Sequence, residues 1–160
     1  MKGQKMDGSI QVYYGNGRGK TTAALGLGIR AAGVGKQVIM VQFLKKKHSD
    51  TLDFLKKLEP ELQIFRFEKA ACGYSDLSPK EKQEQMLNIK NALGYSRKVL
   101  DTGQCDLLIL DEALGLVDQG IVTAEELLSM TDCRDEADVI LTGKVLPPEI
   151  QEAADKIEQA

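Results

Sequence analysis

The sequence predicts an α/β fold: a mostly parallel sheet with helices on both faces. Three observations carry that expectation. Strand-like and helix-like runs alternate along the chain, and several strand-like runs are continuously apolar, as strands covered on both sides are. A glycine-rich loop also joins the first strand to the first helix, which is where such folds place a phosphate.

Ile10-Gln11-Val12-Tyr13-Tyr14 is β-branched and aromatic and stops at Gly15, so it reads as the first strand. A helix follows from Thr21 to Ala32 and ends in the Gly33/Gly35 region. Val38–Phe43 is a nearly unbroken apolar run, whereas Leu62–Phe67 alternates apolar with polar and predicts a strand with a more exposed face. Ser78-Pro79-Lys80-Glu81 sets an N-cap serine, a first-turn proline and a capping-box glutamate in sequence. The helix it opens runs to about Leu100, with Met86, Ile89, Leu93 and Leu100 as its apolar stripe. Leu107–Leu110 and Val139–Leu141 are buried strands, Thr123-Ala124-Glu125-Glu126 opens another helix, and Pro147-Pro148-Glu149 a last short one. No linker or repeat interrupts the pattern, so residues 10–160 are expected to form one domain behind a short polar tail, residues 1–9.

Composition narrows the function classes. Twenty-one basic and 24 acidic residues are well mixed, with a net charge of −3, and leave no basic footprint for nucleic acid or an anionic membrane. No run approaches the roughly 18 apolar residues of a membrane span, and the polar N-terminus lacks a signal peptide's apolar stretch. Cys72, Cys105 and Cys133 are odd in number and widely spaced, which reads as reduced thiols serving as buried filler in a cytoplasmic protein. His48 is the one histidine and sits beside Lys45, Lys46 and Lys47, so no histidine-based triad or metal centre is expected.

The chemistry gathers at strand ends. In Gly15-Asn16-Gly17-Arg18-Gly19-Lys20-Thr21-Thr22, the glycines let backbone N–H groups converge on an anion, and the following helix points its positive end at the same place. Lys20 is placed to reach the outer phosphates and the Thr21 hydroxyl to ligate Mg²⁺. One detail departs from the common Gly-x-x-x-x-Gly-Lys-Ser/Thr pattern: Tyr14 stands where its first glycine belongs, and Gly15 follows one residue late. Asp111-Glu112 directly follows a buried strand, where a Mg²⁺-binding acid belongs; which carboxylate meets the metal stays open. Lys144, after the last clear strand, is a further phosphate candidate or a solvated lysine. Arg30, on the helix after the loop, is a nucleotide or partner contact or a surface arginine.

These residues resemble the bacterial ATP:corrinoid adenosyltransferases. The resemblance rests on the shifted loop with Thr21-Thr22-Ala23-Ala24-Leu25-Gly26, on Arg30-Ala31-Ala32-Gly33-x-Gly35-Lys36 and on Val41-Gln42-Phe43-Leu44-Lys45. Leu108-Ile109-Leu110-Asp111-Glu112 and Ile140-Leu141-Thr142-Gly143 extend it, over about Ile10 to Asp155. It implies a RecA-like sheet, a homodimer, and transfer of the 5′-deoxyadenosyl group of ATP to a Co(I) corrinoid with release of triphosphate. It also implies ATP bound in the reverse sense to a kinase, and a flavoprotein as the source of the electron. Lys20, Thr21 and Mg²⁺ would hold the triphosphate, with Asp111 or Glu112 completing the metal site. Co(I) is itself a strong nucleophile, so positioning and charge neutralisation suffice and no general base is required.

Two departures fall on the corrinoid side. The family's Phe-x-Trp element corresponds to Gly73-Tyr74-Ser75-Asp76-Leu77, where Tyr74 is the candidate replacement and no tryptophan exists anywhere in the chain. The family's Arg-Pro-x-Lys-His segment and Gly-Ile-Asp/Glu tail are also missing after the last helix, where the sequence reads Lys156-Ile157-Glu158-Gln159-Ala160. Two alternatives follow: a P-loop ATPase or phosphotransferase in which Glu112 orients water, and a non-enzymatic ATP-binding module.

Overall fold

Each of the five runs read as strands forms one. The computed structural model describes residues 8–17, 19–44, 56–66 and 76–160. The strands are β1 (Ile10–Tyr14), β2 (Val38–Gln42), β3 (Leu62–Arg66), β4 (Leu107–Asp111) and β5 (Asp138–Gly143), joined by β6 (Lys156–Gln159). All pairings are parallel, in the order β3-β2-β4-β5-β1-β6. β2 and β4 are buried along their whole length: their apolar runs Val38–Val41 and Leu107–Leu110 require it, and the polar ends Gln42 and Asp111 are buried too. β3 lies at an edge and is mostly half-buried, in keeping with its alternating pattern. β6 has no counterpart in the sequence reading; its four residues are exposed, and backbone pairing to β1 (Val12 opposite Ile157) sets its place.

The two faces of the sheet separate by the period of two. Val12, Val41, Leu108, Leu110, Val139 and Leu141 face a core shared with α2 (Pro79–Asp101), α3 (Ala113–Asp118), α4 (Ala124–Thr131) and α5 (Pro148–Ala153). Tyr13, Val38, Met40, Leu107, Ile109 and Ile140 face α1 (Gly19–Gly33). A side chain on Gly28 of α1 would put its Cβ 3.0 Å from Ile109 Cδ1 and 3.4 Å from Val38 Cγ1, so glycine lets this helix lie close on the sheet. Both expected capping boxes form their N-caps. Ser78 Oγ accepts from the Glu81 N–H at 3.3 Å and donates to its carboxylate at 2.8 Å, and Thr123 Oγ1 accepts from the Glu126 N–H at 3.0 Å.

Ser9 is tied to β5, its N–H and hydroxyl both donating to Asp138 Oδ1 at 2.8 and 2.9 Å. Cys105 is buried filler as expected, whereas Cys133 is half-buried. Arg18, Lys45–Lys47, His48, Phe67, Cys72 and Tyr74 lie outside the described residues. Burial, with the Asp106 carboxylate beside it, pushes the Cys105 thiol up from 9.0 to about 12. Folding therefore favours the protonated thiol: the contribution is full below about pH 9 and is lost as pH rises towards 12. The fall in unfolding free energy between about pH 8.5 and 10.5 should be steeper in the wild type than in Cys105→Ala. Denaturant titrations of both proteins across that range check it.

Candidate functional site

A parallel sheet places the ends of its strands on one rim, and here the rim holds a polar cluster around one carboxylate. Asp111 ends β4 and is fully buried. A buried carboxylate must be hydrogen-bonded to remain charged. Thr21 of α1 donates its hydroxyl to Asp111 Oδ1 at 2.9 Å, Thr142 of β5 donates to the same oxygen at 2.7 Å, and Gln42 of β2 donates its amide to Oδ2 at 3.2 Å. The first helix after the loop and both strands flanking β4 therefore meet on one side chain.

The backbone turns sharply after Asp111. Glu112 takes a left-handed conformation, φ 63° and ψ 18°, and its N–H donates to Thr142 Oγ1 at 2.9 Å. Such a conformation is costly for a residue with a β-carbon and persists only where neighbours hold it. The turn sends adjacent carboxylates to different partners: Asp111 faces Thr21, and Glu112 Oε1 lies 3.4 Å from Lys20 Nζ. Lys20 is 7% exposed and also reaches the carbonyl of Gly17 in the loop at 3.5 Å.

Close packing holds the loop and the turn in place. Gly15 has φ +132° and donates its N–H to the Gly143 carbonyl at 3.1 Å, joining the start of the loop to the end of β5. A β-carbon on Gly143 would collide with Leu114 Cβ, so glycine admits α3 directly behind the turn. On the other side, Ala160 N–H donates to the Tyr14 carbonyl at 2.7 Å, bringing Ala160 against Gly15 and Gly17.

The expected site residues divide by position. Gly15, Asn16, Gly17, Gly19, Lys20, Thr21 and Thr22 form the loop and first turn of α1, beside Asp111 and Glu112. Lys144 is exposed on the same rim, where it shares a cleft of about 360 Å³ with Leu44, Glu112, Gly115, Asp118 and Gln119. Arg30 stands apart. It is exposed ten residues beyond Lys20 on α1, about 15 Å along the axis. Gln42, Arg66 and the Thr142 hydroxyl join the cluster without having been singled out for it.

Thr21 Oγ1 and Asp111 Oδ1 form a hard-oxygen pair of the kind Mg²⁺ takes. Among the described residues no group of three His, Cys, Asp or Glu could hold a metal ion. A cation at this pair would complete its shell with water or phosphate oxygens, as Mg²⁺ at a nucleotide commonly does.

Parallel sheet, glycine loop and strand-end acid define a RecA-like P-loop protein. A solved KaiC-like protein, PH0186, from the hyperthermophilic archaeon Pyrococcus horikoshii OT3 shares this fold: TM-score 0.63, 20% identity, covering 94% of this chain and 71% of the other. The profile of the ATP:corrinoid adenosyltransferase family BtuR/CobO/CobP matches residues 6–160, and the chain belongs to that family. It is 31% identical over 153 residues to the corrinoid adenosyltransferase of Escherichia coli strain K12, covering 95% of this chain and 76% of that protein. To corrinoid adenosyltransferase CobA of Salmonella typhimurium strain LT2 it is 31% identical over 157 residues, covering 98% and 78%.

Thr142→Val keeps the shape of the side chain and removes both of its hydrogen bonds, to Asp111 and from Glu112. Losing these buried bonds should lower unfolding free energy by about 1–3 kcal/mol. Urea denaturation of the variant measures it.

Proposed function

We propose that this chain transfers the 5′-deoxyadenosyl group of ATP to a Co(I) corrinoid and releases inorganic triphosphate. Family membership supports the reaction. The single structural observation that supports it is the rim itself, where Lys20, Thr21 and Asp111 gather at the glycine loop, an arrangement suited to holding a triphosphate leaving group. Attack of Co(I) on C5′ forms the Co–C bond, breaks the C5′–O bond, and leaves both bonding electrons on the triphosphate oxygen.

The protein's task is then to hold the triphosphate and take up the charge that develops as it departs. Lys20 neutralises that charge at short range, while loop N–H groups and the amino end of α1 bind the remaining oxygens. Thr21 and Asp111 would hold Mg²⁺, which when bound screens the triphosphate charge. Glu112 is read as Lys20's counter-ion, and a triphosphate would compete with it for the ammonium. The cleft beside Glu112 and Lys144 leaves the rim open to a second substrate.

A homodimer and a cytoplasmic setting with a flavoprotein reductant complete this reading. Ile29 on α1, 39% exposed next to Arg30, and Val34 in the turn just past the helix, 73% exposed, supply apolar surface for a second copy. Among the described residues no helix is long and apolar enough to cross a membrane.

Incubation with Mg-ATP and chemically reduced cobalamin should yield a light-sensitive Co–C product and one triphosphate per adenosyl group. ADP and phosphate would overturn the proposal in favour of a phosphotransferase or ATPase. Lys20→Ala should reduce product formation by about 100-fold or more, as loss of a charge-stabilising group does. Glu112→Gln separates the two chemistries. Adenosyl transfer has no need of a base, so its rate should stay within about tenfold of wild type, whereas a water-activating role would cost about 100-fold or more.

A further inference from the structure

Three residues from three different strands stand in one row at the rim. Parallel register sets Arg66 at the end of β3 opposite Gln42 at the end of β2, and Gln42 opposite Asp111 at the end of β4. Their side chains are joined in the same order. Arg66 Nε donates to Gln42 Oε1 at 2.7 Å, and Gln42 Nε2 donates to Asp111 Oδ2 at 3.2 Å. Asp111 Oδ1 then accepts from Thr21 at 2.9 Å.

The row has a direction imposed by chemistry. A guanidinium has only donors, so the atom of Gln42 facing Arg66 must be the amide oxygen. The amide nitrogen is thereby turned towards Asp111, where it meets an acceptor. Arg66 and Asp111 thus select the same amide orientation from opposite ends, and without Arg66 only the 3.2 Å bond to Asp111 would hold it. Gln42 is 1% exposed, so water is poorly placed to replace what it provides.

We infer that Gln42 and Arg66 are positioning residues for the cation site. Arg66 fixes the orientation of the Gln42 amide, and Gln42 holds Asp111 Oδ2 so that Oδ1 faces Thr21. In this reading each acts through Asp111, Arg66 by way of Gln42. The inference rests on the proposed Mg²⁺ position between Thr21 and Asp111, where outer partners of a metal-binding carboxylate commonly govern affinity.

The test measures equilibrium binding of a fluorescent ATP analogue with Mg²⁺ and with EDTA, together with thermal unfolding, for wild type, Gln42→Met, Arg66→Met and the double variant. Methionine preserves the length of Gln42 and removes both its donor and its acceptor. Gln42→Met should weaken binding about tenfold or more with Mg²⁺ and less than about twofold with EDTA. Arg66→Met should shift it in the same direction by a smaller factor. The double variant should be no weaker than Gln42→Met alone, because the two residues act in series. Three results would overturn the inference: Mg²⁺-dependent binding equal to wild type in Gln42→Met, equal weakening with and without Mg²⁺, or additive losses in the double variant. Should Gln42→Met fail to fold, Arg66→Met decides alone on the Mg²⁺-against-EDTA difference. A wild type that binds equally with and without Mg²⁺ removes the cation position itself, and the inference with it. That outcome differs from a cation-dependent wild type whose variants match it.

Discussion

The site is organised around a carboxylate that has no access to solvent. Asp111 is fully buried at the end of a strand flanked on both sides. A charge in that position is tolerable only if protein donors replace the water it has lost. Thr21, Thr142 and Gln42 supply those donors, one each from α1, β5 and β2. Satisfying one carboxylate thus fixes where the loop helix begins relative to the sheet. It also ties the side chains of neighbouring strands together at the rim, where a backbone ladder alone would leave their ends free to fray.

The turn at Glu112 follows from the same demand. Thr142 hydrogen-bonds to both members of the acidic pair: its hydroxyl donates to the Asp111 carboxylate and accepts from the Glu112 N–H. Holding that N–H inward favours a left-handed residue and sends the Glu112 side chain to Lys20. Gly143 and Gly115 give the close approach this requires: the first lets Leu114 pack against the end of β5, and the second admits Leu44 Cδ1, which would lie 2.9 Å from a β-carbon there. Leu44 is itself left-handed, with φ 55°. Two non-glycine residues in that conformation border one cleft, an expense in backbone energy concentrated where strand ends meet ligand space.

Much of this was legible from the chain because the decisive signals are local. Four apolar residues before Asp111 mark a strand buried on both faces and place the acid at its carboxyl end. The glycine loop and both capping boxes are likewise contained in a few consecutive residues. The elements that escaped lack local signals. β6 is a polar, exposed four-residue edge held by its backbone, and α3 starts straight from the strand end with no side-chain cap. The row from Arg66 through Gln42 to Asp111 escaped for a deeper reason: sheet register joins residues 24 and 69 positions apart, a relation invisible to spacing. Arg30 shows the converse, since nearness to the loop in sequence becomes distance along a helix axis.

The pairing of Lys20 with Glu112 bears on which chemistry suits the rim. A lysine that is only 7% exposed needs a counter-charge, and Glu112 provides it within 3.4 Å. In the proposed reading that pairing is the role of Glu112, and no proton is taken from water. Adenosyl transfer to Co(I) asks for no proton transfer; the nucleophile arrives electron-rich and the leaving group departs as an anion. In the proposed reaction Lys20 would pass from the Glu112 carboxylate to the polyphosphate while Asp111 stays hydrogen-bonded to Thr21. The backbone turn between Asp111 and Glu112 separates the two carboxylates, one hydrogen-bonded at the ends of the strands and the other paired with Lys20.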